Sequence, residues 1–195
     1  AAACSAAFVM GSAMAANTEL KIAYPVDIPS WDPTAVTFPA GQSIYKAVFD
    51  SPLFVGDDLQ VAPRLIEAWD WVDDSGQKLK ITLRDGVLFH DGSPMTTEDV
   101  KFTLERAVAN KTLALNGMLP TLKEVEIVSP LEAVIHFTAP TPTAAKGLAF
   151  LSAYILPKAY FEKVGAEEFI RKPIGAGPYQ LVDYQQDSRI TLAAF

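Results

Sequence analysis

The sequence is poor in the residues that build catalytic and metal sites: it holds one cysteine, Cys4, and two histidines, His90 and His136. A single cysteine excludes an internal disulfide. The histidines lie far apart, with no Cys or Glu-rich motif beside them, so no zinc site is predicted. The Gly-x-Ser-x-Gly elbow of hydrolases is also absent. The sequence therefore favours a protein that is not an enzyme and that carries no metal or cofactor.

The sequence also lacks any block of five like charges, which excludes an acidic or basic tail. Its net charge of −7 argues against general affinity for nucleic acid or anionic lipid. The 195 residues suffice for one domain with a real core or for two small lobes. The 14 prolines indicate many loops and disfavour a long helical bundle.

No apolar run is long enough to cross a bilayer, which takes roughly 20 residues. The uncharged run Ala6–Ala16 is shorter and ends in small residues. It is typical of the apolar core of a secretory signal peptide, cleaved near Ala15 to leave a mature start at Asn17. We therefore expect residues 1–16 to be a signal-peptide remnant and the protein to be periplasmic; a disordered apolar tail is the alternative.

Cys4 leaves a second interpretation of this leader open. Ala-Ala-Ala-Cys-Ser loosely resembles a lipid-attachment box, which would anchor the protein to a membrane. A polar tether should follow such a cysteine, whereas here the apolar run Ala6–Ala16 follows it. The sequence therefore favours a cleaved signal over lipid anchoring at Cys4.

Hydrophobic periodicity predicts short strands mixed with helices. In Lys78–Arg84 the alternation places Leu79, Ile81 and Leu83 on one buried face, as in an antiparallel sheet with one wet side. The predicted strands are Thr18–Tyr24, Glu67–Val72, Lys78–Arg84, Val125–Val128, Ala133–Thr138, Tyr179–Tyr184 and Arg189–Ala194. The predicted helices are Ser43–Phe49, a segment from Thr96 to Asn110, and Lys158–Val164 stopped by Gly165, while Ala144–Leu151 is ambiguous between helix and strand.

The longest predicted helix has a clear start signal. Thr96 precedes it and Asp99 follows three residues later, which together form a capping box. The turn His90–Pro94 lies just before, and Asp91 in it is expected to accept backbone N–H groups. For His90 we expect a surface turn residue that bonds locally.

Three kinds of short motif suggest a ligand but have plainer explanations. Gly175–Gly177 superficially suggests a phosphate loop, yet the Gly-x-Gly-x-x-Gly spacing is absent and a proline follows, so a tight chain crossing is favoured. Asp57–Asp58 and Asp73–Asp74 lack the spaced oxygen ligands of a calcium loop and are interpreted as solvated turns. Trp69 and Trp71 share one strand face, so a core role for at least one is favoured over stacking on a ligand.

Four sequence blocks follow one another in a specific order and spacing. Ala62–Trp69 reads APRLIEAW, Leu83–Pro94 reads LRDGVLFHDGSP, Glu98–Arg106 reads EDVKFTLER, and Pro173–Tyr179 reads PIGAGPY. Each block is weak alone, but together they resemble the peptide/nickel-type (family 5) extracytoplasmic solute-binding proteins of ABC importers. The departures are small: Met95–Thr97 replaces leu-thr-ala, and Ala176 stands where threonine is common.

The resemblance implies a mixed α/β fold: the first lobe, with an extra subdomain, of a two-lobed class II periplasmic-binding architecture. In such proteins a hinge joins two lobes that close on the ligand. Residues 17–54 would begin the first lobe, 55–172 would form the family-specific subdomain, and 173–195 would return to the first lobe. The second lobe would lie downstream, so we expect an amino-terminal fragment.

The resemblance further implies a monomeric component of an ABC import system that captures peptides or a similar small solute and delivers them to a membrane permease. An alternative on the same scaffold is an extracytoplasmic sensor or chaperone-like binder, with a signalling partner in place of the permease. An exported hydrolase is disfavoured by the missing nucleophile, base and metal set. The candidate ligand contacts in this half are Thr37, Phe38, Met118, Ser152 and Tyr154.

Overall fold

The structure, a computed structural model, describes residues 19–150 and 153–195 and has the predicted mixture of helices and strands. The helices are α1 Gln42–Val48, α2 Thr97–Ala109, α3 Ala114–Met118, α4 Ala144–Ala149 and α5 Lys158–Arg171, with a 3-10 turn Pro39–Gly41 before α1. The strands are β1 Leu53–Val55, β2 Val61–Pro63, β3 Ile66–Trp71, β4 Lys78–Leu83, β5 Leu122–Ile127, β6 Glu132–Phe137, β7 Tyr179–Gln185 and β8 Arg189–Ala194. The leader 1–16, Cys4 and Ser152 lie outside the described residues, and no helix that the structure describes is long and apolar enough to cross a membrane.

A four-stranded antiparallel sheet, ordered β3-β4-β6-β5, forms one layer of the first core. In β4 the side chains of Leu79, Ile81 and Leu83 are buried while Lys80 is exposed, which confirms the predicted alternation. Helix α2 covers the buried face beside β5. Both predicted hairpins of this sheet are confirmed, with ends that differ by a few residues.

The capping box at the start of α2 is confirmed, and it does more than cap. The hydroxyl of Thr96 accepts from the Glu98 amide at 3.3 Å, and Asp99 Oδ2 accepts from the Thr96 amide at 2.8 Å. The other oxygen of Asp99 accepts from the amide of Lys158, the first residue of α5, at 2.8 Å. One buried carboxylate therefore joins the beginnings of two helices.

A second core is built mainly from aromatic side chains. Tyr45 and Phe49 enter it from α1 and its C-cap, Tyr154 from the segment before α5, and Phe161 and Phe169 from α5 itself. Ring centroids are 6.0 Å apart for Phe49 and Tyr154 and 5.0 Å apart for Phe161 and Phe169. Such tilted pairs add about 0.5–1.5 kcal/mol beyond the burial of their area. The β7–β8 hairpin, which was predicted, packs on the same core.

Packing around α5 crosses the segment boundaries expected from the sequence. Helix α5 lies within residues 55–172, yet its buried rings share a core with side chains from 17–54 and 173–195. The division into these segments stays a prediction. The packing shows that the segments are joined by a shared interior rather than by a thin connection.

The predicted strand Thr18–Tyr24 is wrong for the residues that the structure describes. Residues 20–24 are not assigned to a strand, and Leu20 and Ile22 are 82% and 73% exposed. Alternation produces a strand only where a neighbour supplies ladder hydrogen bonds. Tyr24 is held differently, because its hydroxyl donates to the Ala40 carbonyl.

The predicted stop at Gly165 is confirmed, and the segment that is ambiguous between helix and strand in the sequence is settled. Gly165 interrupts the helical geometry, with φ 79° and ψ 166°, and a second helical segment, not predicted, follows it so that α5 continues to Arg171. Phe169 is fully buried, so its packing holds the second part of α5 on the core. The ambiguous segment that begins at Ala144 is helical through Ala149.

The acidic pairs and the tryptophans behave as predicted. Asp58 accepts from the Gln60 amide at 3.0 Å, and Asp73 accepts from the Ser75 amide at 2.9 Å, so both pairs stabilise exposed turns. Trp69 is partly buried against the first core, as is its neighbour two residues on.

Residues 173–177 cross tightly over the end of α1, as predicted for the glycine pair. A Cβ atom at Gly177 would lie 2.6 Å from the Ala47 carbonyl oxygen, and one at Gly175 would overlap the Val48 carbonyl oxygen. The amide of Gly177 donates to that Val48 oxygen at 3.0 Å. These two glycines are therefore required by close backbone approach and not by a phosphate.

We predict that D99A lowers the free energy of unfolding by about 2 kcal/mol, because two partly buried backbone N–H groups, those of Thr96 and Lys158, lose their acceptor. E98A is the matched control: Glu98 is an exposed acid in the same first turn of α2, and its loss costs about 0.3–1 kcal/mol through the helix dipole alone. Urea unfolding measures both. Equal losses in the two variants would contradict the bridging role of Asp99.

We predict that G177A destabilises the protein by at least about 1–3 kcal/mol, because the added methyl meets the α1 backbone. G117A is the control, since a Cβ there meets nothing within 4 Å and Gly117 lies in α3. Alanine in a helix is favoured over glycine by about 0.5–1 kcal/mol, so G117A should be neutral or stabilising. Thermal unfolding of the pair tests the prediction, and a harmless G177A would refute the tight crossing.

Candidate functional site

The loop that carries Thr37 and Phe38 is anchored at its beginning by an ion pair between Asp32 and Arg106. Asp32, whose side chain is 5% exposed, accepts from Arg106 of α2 at 2.6 Å and from the Thr34 amide at 3.0 Å. Arg106 also donates to the Thr34 hydroxyl at 2.8 Å, and its guanidinium lies 4.7 Å from the centre of the Phe161 ring. Charge-assisted hydrogen bonds of this kind are short and directional. The beginning of the loop is therefore held rigidly on α2 and α5.

Helix α3 holds the same loop from a second side. The amide of Leu115 donates to the Thr34 carbonyl at 3.2 Å, and the amide of Ala114 donates to the Ala35 carbonyl at 3.4 Å. Met118 is half-buried at the last position of α3. The structure therefore brings the loop and α3, two of the predicted ligand-contact regions, next to each other.

Thr37 and Phe38 lie where this loop turns into α1. Thr37 is exposed and Phe38 is half-buried. The Phe38 carbonyl accepts from the Gly41 amide at 3.1 Å and from Gln42 Nε2 at 3.1 Å. The backbone at Phe38 is thus fixed by two hydrogen bonds, and the side chain of Thr37 is exposed to solvent.

Tyr154 lies in the second core, and Ser152 is outside the described residues. The Tyr154 side chain is fully packed, with 2% of its surface exposed, and its hydroxyl donates to Gln42 Oε1 at 2.7 Å. Burial raises the pKa of Tyr154, and the Asp50 carboxylate raises it further, so the hydroxyl is a neutral donor. Its contact with a ligand stays a prediction, as it does for Ser152.

Gln42 is the residue that sequence reasoning missed. Its amide group links the Phe38 carbonyl to the Tyr154 hydroxyl, and so connects two predicted positions that lie more than a hundred residues apart. The only local signal was a polar side chain at the first position of α1. Gln42 therefore acts as a support that orients the loop, not as a group with chemistry of its own.

Two open clefts of the described residues lie away from these positions. One, of about 340 Å³, is lined by the beginnings of α2 and α5, where Asp99 already binds the free amides. The other, of about 580 Å³, lies between α5 and β7 and is lined by Tyr160, Lys172 and Tyr184 among others. Neither contains a predicted ligand contact. We call the loop 34–38 with α3 and Gln42 the ledge, in which Thr37 is exposed.

Side chains that could bind a metal ion do not cluster at the ledge or elsewhere in the part of the chain that the structure describes. Among residues 19–150 and 153–195, no group of three or more His, Cys, Asp or Glu side chains could hold a metal ion. His136 pairs with Glu126 at 2.9 Å on the sheet. The arrangement presents an exposed hydroxyl and a fixed backbone, which suit recognition by hydrogen bonding.

A family sequence model decides the relationship. The model described as "Bacterial extracellular solute-binding proteins, family 5 Middle" matches residues 60–195, which is more than half of the chain. The chain belongs to this family. The resemblance expected from the four sequence blocks is therefore confirmed for this family 5 protein.

Individual relatives agree with the family assignment. The glutathione-binding protein GsiB of Salmonella paratyphi A is 27% identical over 181 residues, covering 92% of this chain and 35% of that protein. Among solved structures, NikZ of Campylobacter jejuni in complex with Ni(L-His) superposes with a TM-score of 0.76 at 26% identity, covering 88% of this chain and 34% of NikZ. The oligopeptide-binding protein AppA of Bacillus subtilis, in complex with a nonapeptide, gives 0.75 at 26% identity, with 90% and 35% covered.

The chain spans about a third of the length of each of these relatives. The predicted fold class, part of a two-lobed family 5 binding protein, is confirmed by the superpositions. All three relatives are binding proteins by name or by the complex in which they were solved.

We predict that Gln42 couples energetically to Tyr154. In a double-mutant cycle of Q42L and Y154F, the coupling energy should be about 0.5–1.5 kcal/mol, the net contribution of one partly buried hydrogen bond. Urea unfolding of the four proteins gives this value.

Tyr45 provides the control for this cycle. Its hydroxyl donates to the Ser30 carbonyl at 2.6 Å instead of to Gln42, although the two tyrosine rings are 6.2 Å apart. The cycle of Q42L with Y45F should therefore be additive within about 0.5 kcal/mol. Equal coupling in the two cycles would show that Gln42 does not support the ledge through Tyr154.

Proposed function

We propose that this chain is part of the solute-binding component of an ABC import system, which captures peptides or a chemically similar small solute and delivers them to a membrane permease. The observation that carries the proposal is the family 5 match over residues 60–195. Under this proposal the protein is not an enzyme and acts as a monomer, and residues 1–16 are a signal that exports it to the periplasm.

The solute class is proposed from what the relatives bind. GsiB is glutathione-binding, AppA was solved with a nonapeptide and NikZ with Ni(L-His). These ligands share amino-acid chemistry: amino groups, carboxylates and, in peptides, amides. We therefore propose a ligand that offers such groups to hydrogen bonds.

The ledge supports the proposal by its geometry. Its backbone is fixed by Asp32, Arg106 and Gln42, while Thr37 stays exposed. A fixed polar edge pays little ordering entropy when a ligand binds, which favours affinity. Thr37, Phe38 and Met118 are the contacts that we propose for this part of the protein.

The test is a thermal-shift series on the mature full-length protein with glutathione, di- and oligopeptides, Ni(L-His), and a disaccharide as the unrelated compound. A binding compound should raise Tm with its concentration, equivalent to about 2.7 kcal/mol at one hundred times Kd. A shift with a peptidic compound supports the proposal. Shifts with none of them, or turnover of any of them into a product, would refute it.

The ledge itself is tested by T37W in the same protein. Trp at this exposed position should weaken binding of the responding compound at least tenfold and leave the Tm of the free protein within about 2 °C, because no buried contact is lost. S75W is the control, since Ser75 is exposed in the turn between β3 and β4. Unchanged affinity in T37W would remove the ledge from the binding site without touching the solute-binding proposal.

A further inference from the structure

His90 makes three hydrogen bonds to the crossing segment, against the expectation of a locally bonded surface residue, which is wrong. Its amide donates to the Gly175 carbonyl at 2.9 Å. In the ring, Nδ1 lies 3.2 Å from the Gly175 amide nitrogen, and Nε2 lies 3.0 Å from the Gly177 carbonyl oxygen. The sequence could not show this, because the partners lie 85 and 87 residues away.

The partners of the two ring nitrogens select one protonation state. A backbone N–H can only donate, so Nδ1 must present its lone pair to Gly175. A carbonyl oxygen can only accept, so Nε2 must carry the hydrogen that is donated to Gly177. Neutral imidazole with its proton on Nε2 is the form that satisfies both, since the imidazolium ion is a donor at both nitrogens. Protonation would therefore set an N–H group against the Gly175 amide.

The ring sits in a confined place. It is half-buried, and its centroid lies 5.0 Å from that of Phe195 at the end of β8. On the other side of the crossing, Gly175 and Gly177 press on the backbone of α1. The crossing is thus packed between the turn that begins at His90 and the end of α1.

The charged surroundings of this ring are sparse. Asp91, on its own turn, is the charged group that acts on it, and it opposes burial by favouring the protonated form. Tyr160 of α5 feels the same Asp91 carboxylate and is neutral, its pKa raised by burial. The crossing presents backbone groups, and Phe195, which follows β8, presents its ring; neither the backbone groups nor the ring titrates.

We propose that neutral His90 holds residues 173–177 between the turn 90–94 and α1 through its hydrogen bonds to Gly175 and Gly177. Protonation of its ring would break the hydrogen bond from the Gly175 amide and so weaken the connection between the two cores. This goes beyond the proposed solute binding and does not depend on which solute is bound. In this proposal His90 is a positioning residue, which holds the crossing segment through hydrogen bonds to its backbone.

The direction of the pH effect follows from burial, which lowers the pKa of His90 below its usual value of about 6.5. Between the folded and unfolded pKa values the unfolded chain binds more protons, so stability falls as pH falls. The contribution of neutral His90 to the free energy of unfolding is complete above about pH 6.5 and is lost as the pH falls to the lowered pKa of the folded state. Because unfolding takes up one proton at His90, the unfolding constant changes by at most about tenfold per pH unit.

The tautomer is tested directly by ¹⁵N NMR of the histidine rings. H90N and H136N assign the signals by their disappearance, and H136N also removes the ion-paired histidine. His90 should show the Nε2–H tautomer alone, should titrate below about pH 6.5, and should move the Gly175 amide signal as it titrates. A mixed or Nδ1–H tautomer, or titration like that of a free histidine, would overturn the proposal.

The stability effect is tested by the pH dependence of unfolding between pH 5 and 7.5. The slope should be reduced in H90N, where Asn can still accept from Gly175 but does not titrate, and retained in H136N. Equal slopes of unfolding free energy against pH in the wild type and H90N would overturn the proposal. If H90N fails to fold, the NMR titration of the wild type and H136N decides alone, because it reads the tautomer and not the stability.

Discussion

The close crossing of residues 173–177 over the end of α1 is the constraint on which the rest of this fold depends. Gly175 and Gly177 leave no room for a side chain, and His90 closes the other side with hydrogen bonds to the same two residues. Because α1 belongs to the aromatic core and His90 follows Phe89 of the first core, this crossing connects two interiors that the chain builds separately. A joint made of backbone atoms at contact distance cannot slide without breaking several hydrogen bonds.

Two further interactions also connect the two cores. Arg106 reaches from α2 to Asp32, and Asp99 reaches from the same helix to the start of α5. Both are buried acidic groups with more than one donor, which is how a protein interior stabilises a charge. Helix α2 therefore supports the ledge around Thr37, and a rigid support suits the solute recognition that we propose for that ledge.

Local features of this structure could be predicted from the sequence, and long-range ones could not. The alternation in β4 and the capping box at Thr96 each carry their cause within a few residues. The glycine pair at the crossing gave a local signal for a close approach, although the backbone that it approaches lies in α1. His90 and Gln42 carry no such signal, because their partners are brought to them only by the folded chain. The segment 19–24 failed for the opposite reason: it has the alternation of a strand, but pairing is a property of two segments.

Native-state hydrogen exchange tests the central claim, that the crossing makes the two cores one cooperative unit. The amides of His90, Gly175 and Gly177 are all hydrogen-bonded at the joint. They should exchange with the same opening free energy as the buried amides of β4 and α1, because opening the joint separates both cores. Exchange of the joint amides at a much lower free energy, with β4 and α1 opening independently, would contradict the account.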